Sequence, residues 1–325
     1  MINQRTSFLD RLNLNAVATA VAASTWVLPG VSPAFMAMQI FAPLPAFYYL
    51  IVLGQTGGLA TLAAALLISG IVSVLIGQAA PFMVTLLILP TGLVMAREVL
   101  NKKSSPAQAG FKALLVLVLM WLFWSFFYGQ SATGVYNSLV TSLDAGLLEV
   151  GETLKGSTQL EPEQALEVEA TISRMRGLLP RIMPGLLLIT MLNTVFFNMV
   201  AGQFLLRRKD AGLISWPPFA AWRLPEPLVA MVILAGFCLL LPLQIVKDAG
   251  LNLLLIAGTL YFFQGLALLT SLLNRWSVPG LLRVLIFLLL LIQAYGIVLL
   301  AVAGLVDVWT DLRRPRPKPE DNDEI

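Results

Sequence analysis

Apolar residues run along this chain in long blocks, and polar and charged residues are held to the gaps between them. The blocks fall at 14 to 30, 36 to 53, 57 to 77, 79 to 96, 109 to 129, 178 to 206, 224 to 246, 249 to 274 and 280 to 306. About 20 helical residues cross roughly 30 Å of hydrocarbon, so the pattern predicts an all-α, polytopic transmembrane helical bundle with about nine hydrophobic segments. Strand-type alternation is absent, which excludes a β-barrel. Pro43 and Pro45 predict that the second segment is short or broken, a defect that lipid does not tolerate unless protein or water takes up the freed backbone groups.

Between 130 and 177 the period changes. Leu139, Leu143, Leu147, Val150 and Leu154 recur at steps of three and four, and Leu166, Ile172, Met175 and Leu179 roughly repeat this after Pro162. Two amphipathic helices are expected, with Pro162 suited to a helix start. They read either as a structural cap on the membrane surface or as a lid over a ligand site.

Composition agrees with a membrane protein: 58% hydrophobic and 12% charged residues over 325 positions, and a mean hydropathy of +0.83. The net charge of +3 does not point to nucleic acid, because the basic residues sit in short loops beside apolar segments, where they act as topology signals. Arg5 and Arg11, then Arg97, Lys102 and Lys103, then Arg207, Arg208, Lys209 and Arg223 all fall on one side if crossings alternate. The positive-inside rule makes that side, and the N-terminus, cytoplasmic in a bacterial inner membrane. The stretch 130–177, rich in Asp and Glu, then faces outward. Nine crossings would also put Arg313, Arg314, Arg316 and Lys318 outside, against the rule, so one segment is expected not to cross, leaving eight crossings. The first segment resembles a signal sequence without a small-x-small cleavage site and reads as a retained anchor. The organisation expected is an N-terminal membrane half (1–129), extracytoplasmic helices (130–177), a C-terminal membrane half (178–306) and a charged, Pro-rich tail (307–325) that is disordered from Pro315.

Candidate chemistry is sparse. There is one cysteine, Cys238, and no histidine, so neither a cofactor nor a metal is expected, and no enzyme signature is present. The middles of the spans carry no Asp, Glu, Lys or Arg, which disfavours a self-powered ion-coupled carrier. They do carry amides and aromatics. Trp26, Gln39, Gln78, Asn193 and Gln264 are the candidates to hold a neutral or zwitterionic solute, and bonds to neighbouring helices are the plain alternative for each. Rows of small residues four apart, Ala16 with Ala20, Ala18 with Ala22, Thr19 with Ala23, suit close contact with another helix, of this chain or of a partner. Trp216, Phe219, Trp222 and Arg223 suit an aromatic and basic belt at the membrane interface. Asp307, Asp311, Arg313 and Arg314 suit weak helix-end ion pairs in water, about 0 to 1 kcal/mol each.

The alanine helix, the stretch "FAPLPAFYYLIVLGQTGGLATLAAALLISG" with a tight turn at Gly54, Gly57 and Gly58, and "LLILPTGLVMARE" resemble, over residues 14 to 100, the substrate-binding (S) subunits of energy-coupling-factor transporters. That resemblance implies docking of the first helix, through Ala16, Ala20 and Ala23, on a coupling subunit served by an ATPase pair. "LPRIMPGLLLITMLNTVFFNMVAGQFLLRR", "FAAWRLPEP", "YFFQGLALLTSLL" and "GLVDVWTDLRR" resemble the YybS-type family of uncharacterised multi-span bacterial membrane proteins. The YybS-type resemblance implies architecture; the S-subunit resemblance implies a component of small-molecule uptake. The alternative is a membrane scaffold or assembly protein without a small ligand, and a lipid-handling protein with a groove between helices is a third reading.

Overall fold

The computed structural model describes residues 8–101, 103–128, 132–157, 162–310, 312 and 313. Arg5, Lys102, Asp311, Arg314 and the tail from Pro315 lie outside the described residues. The regular elements among them are all helices, and the chain divides into two compact units, 1–216 and 217–325. The division falls after Trp216, and one helix runs through position 178.

In the first unit, α1 (Phe8–Val31) leads into a 3-10 helix (Pro33–Phe41) and then α2 (Leu44–Val52), the two short pieces meeting at 46°. The second hydrophobic segment is therefore broken, as its prolines predict. Gly54, at φ +73°, takes the left-handed turn into α3 (Gly54–Leu75). Gly57 and Gly58 are not part of the turn; they lie inside α3, where Gly58 meets the backbone of Leu50. α4 (Ala79–Leu100) and α5 (Pro106–Tyr128) follow. α1, α3, α4 and α2 pack on one another, and α7 packs on α2 and α5.

α6 (Ala132–Ser157) and the start of α7 (Pro162–Lys209) form the expected amphipathic hairpin, but its second arm does not stop. α7 is one helix of 48 residues through Pro180 and Pro184. Pro184 has no N–H for the carbonyl of Pro180, four residues back. Tyr136 of α6 supplies the missing donor, its hydroxyl reaching Pro180 O at 2.6 Å. Further along, Asp144 pairs with Arg176, Gly151 packs on Ile172, and Lys155 pairs with Glu169, so the arms run antiparallel.

In the second unit, α8 (Val229–Leu240) has only 12 residues, about 18 Å of helix. The expected segment 224–246 is thus not one crossing: the break falls at Leu241–Leu243, around Pro242, and α9 (Gln244–Arg275) starts anew. The last expected segment is also divided, into α10 (Gly280–Ile292) and α11 (Ala294–Thr310), bent by 105°. With the broken second segment, these are the three places where a crossing can be missing. Among the described residues, six helices are long and apolar enough to span, or eight if each bent pair counts as one. α9 packs on α8 and α11, and α11 comes so close that an added Cβ on Gly304 would strike the carbonyl of Tyr261.

Candidate functional site

The first unit centres on the break before α2. A broken helix strands backbone carbonyls, and in an apolar interior each orphan costs about 1–3 kcal/mol. Two buried side chains attend to them. Trp26 Nε1 donates to Ala42 O at 2.8 Å, and Asn198 Nδ2 donates to Ile40 O and Thr194 O, both at 2.6 Å. Gln39 Nε2 ties the 3-10 helix to α4 through Pro81 O (3.0 Å) and Thr85 Oγ1 (2.8 Å). Among the proposed solute residues, then, Trp26 and Gln39 are engaged with backbone. Gln78 is exposed at the N-cap of α4, and Asn193 is half-buried on α7. Gln264 belongs to the second unit.

The alanine rows of α1 separate by face. Ala18, Ala22 and Ala23 are buried within the unit, and Ser69 of α3 donates to Ala23 O at 3.3 Å. Ala16, Ala20 and Ser24, each four apart, are exposed beside Val17 and Val21. Intramolecular packing accounts for one face and leaves the other open.

The second unit is organised around a buried ion pair. Asp307 of α11 has a side chain 0% exposed and pairs at 3.0 Å with Arg313, 8% exposed. This corrects the expectation of a wet helix-end pair. Arg313 Nη1 also donates to the carbonyls of Ala220 (2.8 Å) and Trp222 (2.9 Å), while Gln264 Nε2 lies 3.4 Å from Asp307 Oδ2. The Gln264 carbonyl accepts from Leu224 N at 3.1 Å. Three separated stretches, "FAAWRLPEP", "YFFQG" and "GLVDVWTDLRR", meet here to clamp one irregular loop.

The proposed aromatic and basic belt is divided by this arrangement. Trp216 is not a surface anchor: it is 1% exposed, its Nε1 donates to Ser104 O at 3.1 Å, and its ring lies 6.1 Å from that of Phe47. Arg223 is exposed, and Phe219 and Trp222, half-buried, meet edge to face at 5.5 Å in the clamped loop. Sequence reasoning missed Asn198 and the Arg313 clamp. A signal for each was present, an amide facing a proline break and an arginine six residues after an aspartate.

Helices of spanning length, a broken span served by buried amides and an internal ion pair define a multi-span α-helical membrane protein. The chain belongs to the family described as "Predicted membrane protein (DUF2232)", whose profile matches residues 17–308. No curated protein and no solved structure matches it.

Proposed function

We propose that this chain is a non-catalytic membrane subunit that works by docking on another membrane protein through the exposed face of α1, as a component of small-molecule uptake. The observation that carries the reading is the division of α1: Ala18, Ala22 and Ala23 are used internally, and Ala16, Ala20 and Ser24 stay exposed as a second row of small side chains. Small rows favour close helix contact in lipid, where burial of apolar surface alone gives no drive to associate. The resemblance of residues 14 to 100 to S subunits of energy-coupling-factor transporters adds the partner, a coupling subunit with its ATPase pair. The YybS-type resemblance adds a bacterial inner membrane, with the N-terminus in the cytoplasm by the distribution of Lys and Arg. In this reading Gln78 and Asn193 are the side chains to hold a neutral solute. A second reading, a scaffold or assembly protein with no small ligand, is favoured by the engagement of Trp26, Gln39 and Gln264 with protein partners.

Purification from the native membrane in mild detergent, with mass spectrometry of retained proteins and small molecules, tests both. The uptake reading expects an ATPase pair and coupling subunit, lost in the Ala16→Leu, Ala20→Leu variant. Envelope or secretion proteins without a small molecule would overturn it in favour of the scaffold.

A further inference from the structure

Between the arms of the hairpin lies a cavity of about 370 Å³, at the lower end of the range that takes small ligands. Leu143, Gly146, Leu147 and Val150 of α6 line it on one side, and Met175 and Leu178 of α7 on the other. Its only polar lining residue is Ser142. Gly151 meets Ile172 at one end of the cavity and Tyr136 reaches Pro180 near the other, with Ile182 of the lining lying beyond that contact. Leu143, Val150, Met175 and Leu178 are each between 40% and 52% exposed, so the cavity opens to the side.

We infer that this cleft holds one alkyl chain of a bilayer lipid. An apolar, roomy cleft offers no hydrogen bonds to water, so an apolar guest is the one it favours. The source follows from continuity. Leu178, Leu179 and Ile182 line the cleft and also begin the apolar run by which α7 enters the membrane, and the helix is unbroken between the two. Leu178, Leu179 and Ile182 thus place one end of the cleft at the start of that apolar run, within reach of a bilayer lipid chain. The Asp144–Arg176 pair, with contacts of 2.5 and 2.9 Å, sits at the same level and gives the cleft a polar neighbour for a headgroup. This inference is independent of docking through α1.

The test uses the full-length chain reconstituted in vesicles of phosphatidylethanolamine and phosphatidylglycerol carrying a phospholipid with a photoactivatable acyl chain. Labelled peptides are then mapped by mass spectrometry. Gly146→Phe fills the cleft at a position where an added Cβ meets nothing within 4 Å. The expected result is labelling of 142–150 and 175–182 several-fold above that of the hairpin tip around Leu154 and Leu166, falling several-fold in Gly146→Phe. Labelling of α5 at Phe111 and Phe126, both exposed, stays unchanged and reports an intact fold. If α5 labelling changes as well, Met175→Phe takes the place of Gly146→Phe. Labelling of the cleft no denser than at the tip, or insensitive to a filling variant that keeps its α5 pattern, overturns the inference.

Discussion

Removing Arg313 should damage the second unit more than any surface charge change. The Asp307 side chain is 0% exposed and its partner 8%, and a buried charge stripped of its partner costs about 3–5 kcal/mol. Arg313 also holds the carbonyls of Ala220 and Trp222, so Arg313→Leu frees the loop as well. A loss of that size lowers Tm on the order of 10 °C. Replacing both partners removes the stranded charge, so Asp307→Leu with Arg313→Leu should lose less than Arg313→Leu alone. The protein carries its own reporter. Cys238, the one cysteine, sits on α8 with its Cβ against Gly250 of α9. A thiol-reactive dye therefore follows the opening of this unit on heating. If Arg313→Leu shifts the midpoint no more than Lys155→Ala, which breaks an exposed pair, or if the double variant is the worse of the two, the ion pair is not the centre of the unit.

Other consequences follow from the first unit. Trp26→Phe leaves the Ala42 carbonyl without its donor and should cost about 1–3 kcal/mol, seen as an earlier loss of the monodisperse peak in a heating series. Tyr136→Phe strips the hydroxyl from the Pro180 carbonyl and should cost less, about 0.5–1.5 kcal/mol, and widen the distance between spin labels on α6 and α7. The hydrogen bond from Arg176 holds the Asp144 carboxyl below its usual range. A depressed folded pKa means that this contact contributes fully above the ordinary carboxylate range and is lost as pH falls below it. The same spin labels should therefore report a closed hairpin at neutral pH and a looser one in acid, with a smaller acid response in Asp144→Asn, where only the Lys155–Glu169 pair is left to titrate.

Hydropathy made the all-α membrane fold legible, and prolines 43 and 45 marked the broken segment, because both signals are local. What was not legible depends on partners distant in sequence. Pro180 and Pro184 look like a boundary between an amphipathic helix and a span, yet the helix continues, because a donor 44 residues away takes up the carbonyl. Asp307 and Arg313 look like wet charges at a helix end, yet the loop at 220–224 and Gln264 enclose them. Trp216 reads as an interface aromatic by composition, and is buried because Ser104, 112 residues earlier, offers its carbonyl to the indole. The alanine rows were legible as contact surfaces; which row faces inward was not, since all share the same spacing.

The docking claim is tested most directly by placing a photocrosslinking residue at Ala16, Ala20 or Ser24 in the native membrane. The same residue at Leu67 and Leu75 of α3, which are 69% and 78% exposed, gives the comparison. Docking through α1 predicts crosslinks from the α1 positions to one defined membrane protein, and crosslinks from the α3 positions to lipid. Lipid adducts alone at Ala16, Ala20 and Ser24, indistinguishable from those at Leu67 and Leu75, would contradict it.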